Sequence, residues 1–245
     1  MPFENQNILL VVAHPDDEWF LLEKLKAAKS VKILVLSTSR LFFKQRKFET
    51  LEFVNKQEFT NISVEFLGDS KVIWDGDCLN HIDDLASEIA DAIHAQSPDL
   101  IVSHDYENGH PDHDAVFLSA LKASAGRPID LLCFCSYRTG IGGMLTFFKP
   151  LSSTSDSFTL KFSFGELFRM FKLSQHYKTE KMTMSILGTL GLAFLFWRGG
   201  MRIRNGKQDR DIIAMPMANS LPFTRYKTSP ENYEAALQSV FTEIY

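Results

Sequence analysis

The chain has 245 residues, 45% hydrophobic and 23% charged, with a formal net charge of -4 and a sequence pI near 6.0. That length suits one α/β domain with a sizeable core, and that balance excludes a disordered chain or one wholly embedded in a membrane. With no net positive field to collect a polyanion, nucleic acid is excluded as a partner.

The N-terminus, MPFENQNILLVVAH, places an acidic residue before a short apolar run and has no basic n-region. It does not resemble a secretory signal, so a cytoplasmic location is expected. ILLVV at 8–12 is the continuous branched run of a buried parallel strand, and KILVLS at 32–37 and ISVEFL at 62–67 repeat it. The charged, Phe-rich stretch 42–59 between the last two suits an amphipathic helix. Leu79, Ile82, Leu85, Ala86, Ile89, Ala90 and Ile93 form a helical stripe, which Pro98 closes. DLIVS at 99–103 is the fourth strand, Asp112 to about Ser124 a helix, and DLLCFCS at 130–136 the fifth strand. Cys78, Cys133 and Cys135 are odd in number and read as reduced core residues. This alternation predicts an α/β fold: a Rossmann-like three-layer sandwich, its mostly parallel sheet in order 3-2-1-4-5, plus C-terminal additions. A single domain over 1–245 is expected, less legible from about 180.

In such a sheet ligands bind at the carboxyl ends of strands 1 and 4, where the winding reverses. Strand 1 runs into His14-Pro15-Asp16-Asp17-Glu18, and strand 4 into a loop from His104 to Asp114 that contains Gly109-His110-Pro111-Asp112-His113. The first loop lacks the glycines of a phosphate-binding turn, and its carboxylates would repel a phosphate. Imidazoles clustered with carboxylates are what a divalent cation requires. A plainer reading is available for each loop alone, since Pro and Asp are welcome in the first turn of a helix. Two His-Pro-Asp tripeptides flanking one switch point favour the metal.

AHPDDE at 13–18 and GHPDH at 109–113 resemble the PIG-L/LmbE-like zinc-dependent de-N-acetylases. Arg46 and Glu49, PDLIVSH at 98–104 and Lys172 to Gln175 extend the likeness to about residue 180. The resemblance implies one zinc ion (Zn2+) held by His14, Asp17 and His113, with an open position for water. It further implies Asp16 as general base, and His110 as the group that stabilises the oxyanion or protonates the leaving amine, oriented by Asp112; a charged His110 would stabilise the negative charge that develops on the acyl oxygen. Arg46 is carried over as a substrate-binding residue. Glu18 is left as a supporting or helix-start residue. Trp19, Phe20, Leu21 and Leu22 replace the small residues usual in the family at this point, so the first helix must pack differently. His81, His94, His104 and His176 read as structural or surface groups, with His104 the exception if there is one.

Met182 to Trp197 is a sixteen-residue uncharged run followed by Arg198, Arg202 and Arg204. It is short for a transmembrane span. Two readings stand: a buried helix or wall of the substrate pocket, and peripheral contact of 182–204 with an anionic membrane. Asn232 to Tyr245 reads as a closing amphipathic helix. The resemblance implies a metal-dependent N-deacetylase acting on an N-acetyl amino sugar, free or linked to a lipid or glycan, in a chain that can be an oligomer. Two rivals remain: a Rossmann-like nucleotide-sugar transferase and a non-catalytic metal-containing binding protein.

Overall fold

The computed structural model describes residues 2–56, 59–107, 110–139, 145–150, 157–208, 235, 238–240 and 242. Five parallel strands form its centre: β1 (Asn7–Val12), β2 (Ser30–Val35), β3 (Ile62–Phe66), β4 (Leu100–His104) and β5 (Asp130–Phe134). Their order is the expected 3-2-1-4-5.

Side chains alternate across the sheet, so β1 feeds two cores. Ile8, Leu10 and Val12 face one side, packed with α1 (Trp19–Leu25) and α2 (Phe43–Lys56). Leu9, Val11 and Ala13 face the other, packed with α3 (Ile82–Gln96) and α4 (Pro111–Ser124). Every residue of α1 is buried, so Trp19 and Phe20 occupy core where smaller residues were the norm. Val240, in the segment read as a closing helix, is buried against the α3 side; most of 232–245 lies outside the described residues.

The C-terminal third adds more sheet than the sequence suggested. A small antiparallel pair, β6 (Tyr137–Thr139) and β7 (Leu145–Phe147), follows β5. Then β8 (Ser157–Leu160) and β9 (Met201–Asn205) extend the main sheet antiparallel, giving β3-β2-β1-β4-β5-β9-β8. Between them lie α5 (Phe164–Ser174), α6 (Lys181–Ile186), a π-helical turn at Leu187–Gly191 and α7 (Leu192–Arg198). A capping box fixes the start of α5: Ser163 accepts from the Glu166 N–H, and Glu166 accepts from the Ser163 N–H.

Arg204 corrects one expectation. It is fully buried, its Nε donating to Asp105 at 2.6 Å, and so cannot reach a membrane. Strand alternation explains this: Met201 and Ile203 enter the core on one face of β9, which turns Arg204 to the other face, toward the loop after β4.

Candidate metal centre

The site is assembled where β1 and β4 end. The chain leaving β1 turns sharply, with Asp16 at φ 115°. That left-handed region costs a non-glycine residue about 1–3 kcal/mol, so the surroundings must hold it. Glu18 does so from below: its Oε2 accepts the Asp16 N–H at 2.9 Å, and its Oε1 accepts the hydroxyl of buried Tyr177 at 2.7 Å. Arg46, from α2, holds it from the side, its Nη2 donating to the Pro15 carbonyl and to Asp16 Oδ2, each at 3.0 Å. Arg46 Nη1 donates to Asp75 at 3.1 Å, and Glu180 lies 3.8 Å away. This guanidinium, expected as a substrate-binding group, holds Asp16 and Asp75 and also lines the cavity over the site. Glu49, one turn on, accepts the Thr179 hydroxyl at 2.6 Å and so ties α2 to the segment before α6.

The second loop approaches from β4 into α4. Pro111 and Asp112 begin that helix as the plainer reading required, yet their neighbours also enter the site. His113 gives its Nδ1 to Glu107 at 2.8 Å, and Glu107 is itself fixed by the Ser136 N–H at 2.5 Å. His14 gives its Nε2 to Asp112 at 3.0 Å. A carboxylate only accepts, so with a single proton on each ring, placed toward Glu107 or Asp112, a lone pair is left on the other nitrogen. The remaining lone pairs then face Asp17: His14 Nδ1 is 3.2 Å from Oδ2, and His113 Nε2 is 3.5 Å from Oδ1. Acceptors turned on one another in this way need protons or a cation between them.

The charge balance favours positive charge at that point. Burial disfavours a charged ring at His113, but Glu107 and Asp17 outweigh it and push its pKa up to about 10. His14 is likewise raised, by Asp112 and Asp17 against burial. Burial works to raise Asp17, yet His113 and His104 hold it well below the ordinary carboxylate range. The donor set thus fits a divalent cation, which replaces the protons. Paired carboxylates behind each imidazole are the usual device for fixing a ligating ring.

The structure brings the three expected ligands together, and with them two further imidazoles. Ligand atoms of His14, His110 and His113 lie within 4.8 Å of one another, as do those of Asp17, His104 and His113. His104 stacks on His113 with centroids 3.9 Å apart, and its Nε2 lies 3.1 Å from Asp17 Oδ2. It therefore belongs to the cluster, as the one exception among the other histidines.

Two expectations change. Asp112 does not face His110; its carboxylate takes His14, the Gly76 N–H at 2.6 Å and the Cys78 N–H at 3.2 Å. Residues two apart at a helix start do not face each other. For His110, burial, then His113 and His14, hold the pKa well below the ordinary imidazole value, which works against the charged form expected from the sequence. Asp16 moves the other way. Burial and Asp17 lift it to about 8, with Arg46 opposing.

A cavity of about 250 Å³ opens over this cluster. Asp16, Asp75, Arg46, Glu180 and Thr183 give it a polar side, and Phe20, Met184 and Leu187 an apolar one. Tyr137 also lines it, its ring 6.0 Å from that of His110. Glu107, Tyr137, Tyr177 and Glu180 were not singled out from sequence. Only the position of Glu107 in the loop after β4 offered a signal.

Residues 9–124 match the PIG-L family, described as GlcNAc-PI de-N-acetylase. Among solved structures, a deacetylase–bog complex in the biosynthesis pathway of teicoplanin has a TM-score of 0.60 at 11% identity, covering 83% of this chain and 100% of that one. The A40926 pseudoaglycone deacetylase Dbv21 has a TM-score of 0.59 at 14% identity, covering 82% and 96%. The conserved protein TT1542 from Thermus thermophilus has a TM-score of 0.54 at 18% identity, covering 82% and 93%. At these identities the likeness is one of fold. No curated protein matches the chain.

Proposed function

We propose that this chain, which carries a PIG-L family domain over residues 9–124, is a zinc-dependent hydrolase that removes the acetyl group from an N-acetyl amino sugar, free or linked to a lipid or glycan. One observation carries the reading: one ring nitrogen each of His14 and His113 converges on Asp17 while Asp112 and Glu107 hold the opposite ring nitrogens. The description of the matched family supports the amino sugar. Carboxylates of Asp17, Asp75 and Glu180 around the cavity disfavour a nucleotide-sugar transferase, because they would repel a diphosphate.

His14, Asp17 and His113 would hold the zinc. When bound, zinc supplies Lewis acidity that polarises an amide carbonyl and acidifies water. Asp16, whose pKa burial lifts to about 8, takes a proton from the attacking water in its ionised form, a fraction that grows as pH rises toward 8. The water oxygen bonds to the acyl carbon, the C–N bond breaks, and Asp16 returns the proton to the departing nitrogen, leaving a free amine and acetic acid, which loses its proton to solvent as acetate. His110, neutral, donates a ring N–H toward the acyl oxygen as it gains charge. Arg46 keeps the Asp16 carboxylate aimed. His104 buttresses Asp17, and the apolar side of Phe20, Met184 and Leu187 suits the acetyl methyl. Metal-stripped protein should release no acetate from an N-acetylglucosaminyl compound, and one equivalent of zinc should restore release. Full release by stripped protein would refute the reading.

A further inference from the structure

A surface helix ordinarily turns polar residues outward, and α5 does not. Its inner positions Leu167, Met170 and Leu173 are buried, while Phe164, Phe168 and Phe171 repeat at helical spacing on the outside, Phe164 being 76% exposed. The segment of α6, the π turn and α7 does the same with Met182, Ile186 and Leu190, ending at Trp197, 78% exposed. The two helices are packed together: a Cβ on Gly188 would lie 3.6 Å from the Phe171 ring. Their outer stripes are therefore neighbours, and a patch of this size on a soluble chain marks a contact surface.

The charge around it selects the occupant. Residues 157–207 carry nine Lys and Arg against two Asp and Glu, in a chain whose formal net charge is -4; of the nine, Arg204 is buried on Asp105 and Arg169 pairs with Glu23, so these two do not add to the charge of the face. Both acids are engaged elsewhere, Glu166 with Lys24 and Glu180 near Arg46. Lys172 lies over the Phe168 ring at 4.7 Å and Arg198 over Phe194 at 5.0 Å, so cationic groups rim the aromatic ones. A two-fold contact with a second copy would set this basic rim against itself. Aromatic and aliphatic side chains with a Lys and Arg rim suit the headgroup region of an anionic bilayer. Among the described residues no helix is long and apolar enough to cross a membrane, so the face can rest on one and not span it.

We infer that the outer face of α5, α6 and α7 docks this protein on an anionic lipid surface. Thr183, Met184 and Leu187 of the same helical segment line the cavity, which sets its mouth beside the bilayer; that consequence rests on the proposed function. Docking itself is tested without turnover. The protein is centrifuged with vesicles of phosphatidylcholine alone, or of phosphatidylcholine mixed with phosphatidylglycerol, at low and high salt. It should pellet with the mixed vesicles at low salt, pellet poorly with phosphatidylcholine alone, and be released by salt. Phe168→Ser and Trp197→Ser should each weaken binding by about tenfold, and Lys172→Gln and Arg198→Gln by about fivefold. All four are exposed and outside the cavity, so zinc content and release of acetate from a small soluble substrate should stay at wild-type level. Three results would overturn the inference: protein left in the supernatant with both vesicles, vesicle binding that all four variants retain, or a dimer in solution that Phe168→Ser dissociates.

Discussion

Asp112→Asn separates the structure's account of the second motif from the one its sequence invites. The carboxylate accepts three hydrogen bonds: its Oδ2 takes the Gly76 N–H and His14 Nε2, and its Oδ1 takes the Cys78 N–H. Asn has the same size but one acceptor oxygen, so either orientation of the amide turns its NH2 against a backbone N–H. With the NH2 at the Oδ2 position it also points at His14, whose ring must then accept at Nε2 and carry its proton on Nδ1. Nδ1 is the atom facing Asp17. A buried donor left unmatched costs about 1–3 kcal/mol of stability. Loss of the partner behind a ligating imidazole lowers metal affinity by about 10- to 100-fold, or about 1.4–2.7 kcal/mol. Competition against a chelator of known zinc affinity measures this, with urea denaturation alongside. If Asp112→Asn binds zinc as wild type does while turnover falls, Asp112 serves His110 and the argument from its hydrogen bonds is refuted.

Tyr177→Phe removes the hydroxyl that holds Glu18, and through it the strained Asp16 turn; it should cost about 1–3 kcal/mol and lower turnover with zinc content unchanged, and wild-type values in both measurements would contradict this. Arg204→Ala removes the guanidinium partner of buried Asp105, so chemical denaturation should show a loss of about 3–5 kcal/mol; a loss below about 1 would mean that the pair is not structural. Zinc must displace the proton that His113 holds up to about pH 10 in metal-free protein. Binding therefore releases protons, and affinity should rise with pH by about tenfold per unit for each proton displaced. A flat affinity from about pH 6 to about pH 8 would show that His113 is not a ligand.

The parallel half of the fold was legible because buried strands such as Ile8 to Val12 are continuous apolar runs, which few other elements imitate. The antiparallel strands were not. Met201–Asn205 alternates apolar with basic residues, and its arginines read more naturally as a flank to the preceding apolar run than as a half-buried strand. α5 carries a readable signal in Ser163 and Glu166, three apart before an apolar stripe. At the site, the two His-Pro-Asp tripeptides gave away the cluster because their residue types are costly to gather without a cation. The partners that aim those residues were invisible. Glu107 reaches His113 within one loop, but Tyr177 reaches Glu18 across 159 positions, and nothing local in either segment announces that hydrogen bond. In the uncharged run at 182–197, Met184 and Leu187 wall the cavity, as one of its two readings expected, while Met182, Ile186, Leu190 and Trp197 are exposed.

The central claim is that Asp17 holds a zinc ion while Asp16, one residue away, moves the proton. Zinc content and acetate release should be measured together in Asp16→Asn and Asp17→Asn. Asp16→Asn should keep about one zinc per chain and lose turnover by about a hundredfold or more, since Asn cannot accept the proton. Asp17→Asn should lose both, because it removes one of three protein ligands. Retention of metal and rate in both variants would contradict the account.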